Sequence, residues 1–300
     1  MISEVPSDFA PVPDAGPLTL SSGFGTDRGL RRELNEDSLI AQDPVFAVAD
    51  GMGGHEAGEI ASGICVRTLA HRLATPEGNR DVDADLLQQA LHEADVAIRQ
   101  QAGGRAGTTL SGVVVVEQGH RPYWLVFNVG DARTYRLNRT GFERITVDHS
   151  EVQELIDSGS ISPSQALRHP RRHVVTRALG SGDGGVPDYW LLPIEDGDRI
   201  MVCSDGLTGE VSDEFLHQTL KSVFNPQDAA DALVQAALRN GGRDNVTVVV
   251  VDASAGDGEL TTSPRIESET EDTLPREMLA PAGEDDTEAD AEQGTAGEER

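Results

Sequence analysis

The sequence predicts an α+β fold in which antiparallel sheets carry layered helices, and three observations point to it. Short β-branched, apolar runs come in groups joined by turns too short for a crossover, so neighbouring strands must be antiparallel. Segments with helical spacing come in consecutive pairs, one pair in the first half of the chain and one near the end. A repeating strand–helix–strand order, the mark of a parallel sheet, is missing from the pattern.

In chain order, Leu18 to Gly25 and Asp37 to Ala41 read as short strands. Val45 to Asp50 (VFAVAD) is a buried-strand pattern that delivers an acid followed by glycine. Glu59 to Leu73 places Ile60, Ile64, Leu69 and Leu73 at roughly helical spacing, and Leu86 to Ala102 repeats this with Leu87, Leu91, Ala94 and Ile98. Thr108 to Val116, Tyr123 to Val129, Arg133 to Leu137 and Gly141 to Thr146 read as strands, and Glu151 to Ser158 as a short helix. Ser160 to Gly185 reads as irregular, being rich in Gly, Ser, Pro, His and Arg. Asp188 to Leu192 and Asp198 to Ser204 are strands, Asp213 to Phe224 and Pro226 to Asn240 helices, and Val246 to Val251 a last buried strand.

Charge divides the chain into three parts. Of 300 residues, 52 are acidic and 24 basic, a net charge of −28. Residues 253–300 are acidic, lack aromatics and contain few large aliphatics, so they read as a disordered tail. Residues 1–17 carry four prolines and read as a flexible N-terminus. Residues 18–252 between them suffice for one large core. So acidic a surface repels nucleic acid and anionic lipid, so neither is an expected partner. No run approaches the roughly 18 apolar residues of a spanning helix. The first residues lack the basic flank and apolar stretch of a signal peptide, which points to a cytoplasmic protein. Cys65 and Cys203 are too few for a disulfide framework or a zinc site, and Cys203 reads as a small core residue.

Asp50, Asp131, Asp205 and Asp244 each fall at the edge of an apolar strand, three of them beside a glycine. Taken singly, each is more simply an exposed cap. Four in one chain point to a shared cleft, because converging carboxylates without partners require a cation. All-oxygen donors favour a hard ion such as magnesium or manganese. Asn35-Glu36-Asp37 follows Arg28, Arg31 and Arg32, which is either a surface charge cluster or a metal cleft with an arginine fork for phosphate. His55 reads as a structural histidine or as a proton donor near that cleft. DGMGGH (50–55) lacks the Lys-Ser/Thr of a Walker loop, GFGT (23–26) is not a dinucleotide fingerprint, and Ser204 lacks a nucleophile elbow.

Six pieces in order are similar to the metal-dependent serine/threonine protein phosphatase family (type 2C, PPM), especially its bacterial branch. They are TDRGLRRELNEDS (26–38), VADGMGGHEAGEIAS (48–62), GTTL (107–110), NVGDARTYRL (128–137), CSDGLT (203–208) and GGRDNVTVVVV (241–251). The resemblance covers roughly residues 19–252. It implies a four-layer α-β-β-α sandwich, two central antiparallel sheets flanked by helix pairs, with a metal centre at one end. By that resemblance Asp50 bridges two divalent cations, Mn2+ or Mg2+, and the Gly51 carbonyl binds one of them. Asp205 and Asp244 bind the other. Glu36 and Asp37 contribute directly or through water, and Asp131 helps hold a weaker third cation. Arg32 matches the arginine that grips the substrate phosphate, and Asn245 stands behind the ligands or orients water. Met52 stands where animal members place histidine, and His55 follows three residues later, as in bacterial relatives.

The implied activity is hydrolysis of phosphoserine and phosphothreonine on proteins by a hydroxide activated by two metals, opposing bacterial serine/threonine kinases. Phosphorylated proteins and a cognate kinase are the expected partners. Rival readings are a catalytically silent binding module, a phosphatase of anti-sigma-factor antagonists, and a nucleotide or sugar phosphatase. The segment from about Asp148 to Gly185 corresponds to the family's variable flap. Thr261, Thr262, Ser263, Thr270 and Thr273 lie among acids in the tail, either as part of a solvated segment or as sites for the partner kinase.

Overall fold

The computed structural model of the chain describes residues 18–53, 57–74, 80–102, 106–119, 121–166, 168–182 and 185–255. The expected loose N-terminus and nearly all of the acidic tail therefore lie outside the described residues, as does His55.

The first half of the chain comprises β1 (Leu18–Asp27), β2 (Asp37–Gln42), β3 (Val45–Gly53), α1 (Ala57–Leu73), α2 (Ala84–Ala102), β4 (Ala106–Thr108), β5 (Leu110–Gln118) and β6 (Arg121–Val129). There follow β7 (Arg133–Asn138), β8 (Gly141–Arg144), α3 (Glu151–Asp157), α4 (Pro163–Ala166) and β9 (Asp188–Pro193). The last elements are β10 (Arg199–Cys203), α5 (Asp205–Thr208), α6 (Asp213–Ser222), α7 (Pro226–Asn240) and β11 (Val246–Ala255). One sheet runs β1-β11-β10-β7-β8 and the other β2-β3-β5-β6-β9, with β4 added beside β3. Every pairing is antiparallel.

Side-chain alternation builds the layers. In β3, Val45, Ala47 and Ala49 face α1 and α2, whereas Phe46 and Val48 face the opposite sheet. In β11, Val246, Val248 and Val250 pack with α6 and α7, whereas Val249 and Val251 join Phe46 and Val48 between the sheets. Three apolar layers thus separate four structural layers, as the resemblance implies. Strands buried on both faces explain why VFAVAD and VTVVVV read as unbroken apolar runs. Each fully buried Val or Leu contributes about 1.5–3 kcal/mol relative to exposure. Both cysteines are free and buried among these side chains.

The elements depart from the sequence reading in four places. The predicted strand from Thr108 breaks at Thr109, whose N–H donates to the Asp50 carbonyl at 2.9 Å, so β4 and β5 are separate. β3 continues past Asp50 to Gly53 because β4 supplies it a partner. Two one-turn helices, α4 and α5, are too short to show a period. β11 runs on to Ala255, because β1 pairs with it along its whole length from Leu18 to Asp27.

Two buried arginines fasten the sheet ends. Arg136 donates to both oxygens of Asp198 at 2.9 Å, and Trp124 Nε1 donates to the same carboxylate at 3.1 Å. Arg199 pairs with Asp252 at 2.6 Å and donates to the carbonyls of Leu220, Val223 and Phe224, which α6 leaves without partners at its C-terminus. Asp198 is fully buried. Asp198→Ala is expected to lower the unfolding free energy by about 3–5 kcal/mol, because it strands the Arg136 charge in the interior. Urea unfolding measures this, and a loss below about 1 kcal/mol would show that the pair does not hold the sheets.

Candidate metal centre and active site

Acids from both sheets converge. Antiparallel register sets Asp37 of β2 opposite Asp50 of β3. Asp205 is the first residue of α5, separated from β10 by Ser204, and Asp244 lies two residues before β11. Asp131 follows β6 across Gly130, whose φ of 103° and close approach to Thr109 exclude a side chain there. A cavity of 550 Å³ is lined by Arg32, Glu36, Asp50, Gly51, Asp131, Asp205, Asp244 and Asn245. Asp37 lies beneath it, 8% exposed.

The segment carrying Arg32 and Glu36 is held by Asn245. Its side-chain amide donates to the carbonyls of Arg28 and Leu34 at 2.9 and 2.8 Å, and its Oδ1 accepts from the Glu36 N–H at 2.9 Å. Asn245 therefore positions a loop, a more specific role than water orientation. On the far side the Glu36 carbonyl accepts from Ser62 Oγ of α1 at 2.6 Å and from the Gly51 N–H at 3.1 Å. A Cβ on Gly51 would collide with the Gly58 carbonyl, and one on Gly58 with the Glu36 carboxyl. These glycines bring α1 and the Glu36 loop against the strand that bears Asp50.

The electrostatics are those of crowded like charges. Burial first, then Asp37, Asp205, Asp131 and Asp244, raise the Asp50 carboxyl well above its ordinary range. Burial, reinforced by Asp205 and Asp244, lifts Asp37 to about 7. Asp131 is lifted to about 7 by burial, then by Asp205 and Asp148. Burial also raises Glu36. Two neighbouring arginines are already paired, one of them with an acid of the cluster. Arg32 Nη2 donates to Asp244 Oδ2 at 2.6 Å, a bond that raises the guanidinium pKa further. Arg133 is committed to Asp148, with contacts at 2.6–3.2 Å.

Asp37 Oδ2 accepts from Ser204 Oγ at 2.8 Å, but its buried Oδ1 has no hydrogen-bond partner. Among the described residues no three His, Cys, Asp or Glu side chains are already arranged to hold a metal ion. The acids line an open cleft, with Arg32 drawn onto Asp244. The orphaned oxygen, the all-oxygen donor set and the mutual rise in pKa fit a cleft that would take a hard divalent cation.

Among the residues that also border the cleft, and that the sequence reading did not single out, are Arg172 and His173. His173 Nδ1 stands 3.8 Å from Asp205 Oδ2, and this contact raises the imidazole pKa. Both come from the irregular segment, where neither spacing nor periodicity marked them.

A carboxyl whose folded pKa exceeds its unfolded value of about 4 keeps a proton that the unfolded chain releases, so its stabilising effect fades as pH rises toward the folded value. Asp37 and Asp131, at about 7, place that window between about pH 4 and 7. In chelator, the melting temperature is expected to fall from pH 5 to pH 8, and the gain from added Mn2+ to grow across the same range. Asp37→Asn should flatten the chelator profile. Thermal melts of both proteins decide, and an identical slope in the variant would remove Asp37 from this account.

Comparison with known proteins agrees with this geometry. The family model described as Protein phosphatase 2C matches residues 25–240. The serine/threonine protein phosphatase PstP of Mycobacterium tuberculosis is 40% identical over 240 residues, which are 78% of this chain and 45% of that protein. The chain thus spans about half the length of that relative. A serine/threonine phosphatase of Listeria innocua is 35% identical over 241 residues, covering 76% of this chain and 94% of its own. The crystal structure of the Mycobacterium tuberculosis PstP superposes with a TM-score of 0.71 at 37% identity, covering 78% of this chain and 99% of that one. The PstP catalytic domain in complex with two manganese ions superposes with a TM-score of 0.70 at 36% identity, covering 79% and 100%. The chain belongs to the metal-dependent serine/threonine protein phosphatase family of type 2C, in its bacterial branch.

Proposed function

We propose that this chain hydrolyses phosphoserine and phosphothreonine on proteins, opposing serine/threonine kinases. The observation that carries the proposal is the convergence of Asp50, Asp205 and Asp244, with Arg32, on one cavity above the orphaned Asp37 oxygen. The relatives named phosphatases, and the manganese bound by one of them, support the same reading.

Asp50, the Gly51 carbonyl, Asp205 and Asp244 would hold two divalent cations, Mn2+ or Mg2+, aided by Glu36 and Asp37, with Asp131 at a third. The chemistry these cations supply when bound is Lewis acidity, which makes water nucleophilic near neutral pH and offsets charge on the phosphoryl oxygens. Arg32 spends one nitrogen on Asp244, and the rest of its half-exposed fork is available to phosphate. Asn245 fixes the loop that aims Arg32 and Glu36, so the phosphate grip and a cation ligand keep one geometry. The leaving oxygen would be protonated by His55 or by a water held at the cations. No side chain is needed as nucleophile, so no phosphoenzyme forms.

Asp50→Asn is expected to cut metal-dependent kcat/KM on a phosphothreonine peptide by about a hundredfold or more. Phosphate release assays with manganese and with chelator measure it, and near-wild-type rates would refute the site. Arg32→Ala is expected to act mainly on KM, raising it about tenfold through loss of a charge-assisted phosphate contact. Steady-state kinetics on the same peptide test this, and an unchanged KM would move the role to another arginine.

A further inference from the structure

The chain is strongly acidic, yet the stretch from Ser158 to Gly182 contains no Asp or Glu. It carries Arg168, Arg171, Arg172 and Arg177 with His169 and His173. Its return limb is tied to the body: the Glu151 N–H donates to the Val174 carbonyl at 2.9 Å, and the Thr176 N–H to the His149 carbonyl at 2.8 Å. That docking leaves Arg172 and His173 at the cleft, on the rim of the cavity that Arg32 also lines.

Its cations are not equivalent. Arg171 pairs with Glu151 at 2.5 Å, and Arg177 lies 3.4 Å from Asp188. Among the described residues Arg168 and Arg172 have no carboxylate partner. Both are exposed. Arg172 borders the candidate phosphate site and forms a positive ledge at the rim of a negative cleft, and Arg168 lies four residues earlier in the same exposed stretch. A phosphorylated side chain entering that cleft lays its neighbouring residues across the ledge.

We infer that this ledge selects phosphoproteins whose phosphorylated residue is flanked by acidic residues, with Arg172 as the specificity-determining contact and Arg168 as an outer one. The inference rests on the phosphatase reading of the cleft and deepens it. An exposed guanidinium–carboxylate pair at such a rim is worth roughly a three- to fivefold preference, screened by salt. The same charges oppose substrates flanked by Lys or Arg.

The test uses the full chain with manganese and three phosphothreonine peptides that differ only in flanking residues, two Glu, two Gln or two Lys. The readout is the ratio of kcat/KM values within each protein, so a general change in activity cancels. The wild type is expected to favour the Glu peptide over the Gln peptide by about fivefold, and the ratio is expected to shrink as salt rises from 20 to 300 mM. Arg172→Glu should bring the ratio to one or below, Arg168→Glu should lower it less, and Arg172→Lys should retain most of it. Equal wild-type rates on Glu and Gln peptides would overturn the inference and leave the phosphatase reading intact. An Arg172→Glu ratio equal to that of the wild type would also overturn it. Failure to hydrolyse any of the three peptides would remove the phosphatase reading, and the inference with it.

Discussion

The structure turns on carboxylates crowded at one cleft, where burial and mutual repulsion raise their pKa values. Asp37 and Asp50 face each other across one pair of strands, with Asp205, Asp244 and Asp131 nearby, and their arginine neighbours are occupied. The sandwich supplies most of the apolar burial that holds such an arrangement together. Two sheets, each backed by a helix pair, meet over Phe46, Val48, Val249 and Val251, and the acids sit where that packing ends. Protons or a cation can offset a charge excess of this kind, and its all-oxygen donors suit a hard divalent cation.

Much of this was legible in the sequence. Strand alternation, turn lengths and paired helices gave the class of fold, and the order of six motifs gave the family and the layered sheets. What stayed hidden depended on contacts between distant residues. Asn245 was visible as a polar residue beside Asp244, but its three hydrogen bonds to a loop some two hundred positions earlier were not. Gly51 and Gly58 were visible as glycines, yet their necessity comes from the backbone and carboxyl they touch. The break at Thr109 and the one-turn helix at Asp205 are shorter than any period that pattern reading can detect.

The segment after Asp157 shows a different limit. It has no regular pattern because bridges at Ser150–Val175 and Thr108–Leu179 position it, and a helical or strand repeat plays no part. Its composition was plain, but the consequence of that composition appears only once the docking places Arg172 and His173 at the cleft. Charge read along the chain shows a basic patch, and charge read in space shows what that patch faces.

The pairing of β1 with β11 has a consequence for biogenesis. Leu18 lies opposite Ala255, so the first strand waits for the last, and the acids of the cleft come from both ends of the core. A nascent chain that has emerged only as far as α7 already carries Asp37, Asp50, Asp131 and Asp205 but lacks Asp244 and the asparagine that fixes the Arg32 loop. Closing a loop of that length early is entropically unfavourable, and topologies dominated by such distant pairings fold slowly. A chain that stops after α7 therefore contains an incomplete cleft, which only synthesis of the final segment completes.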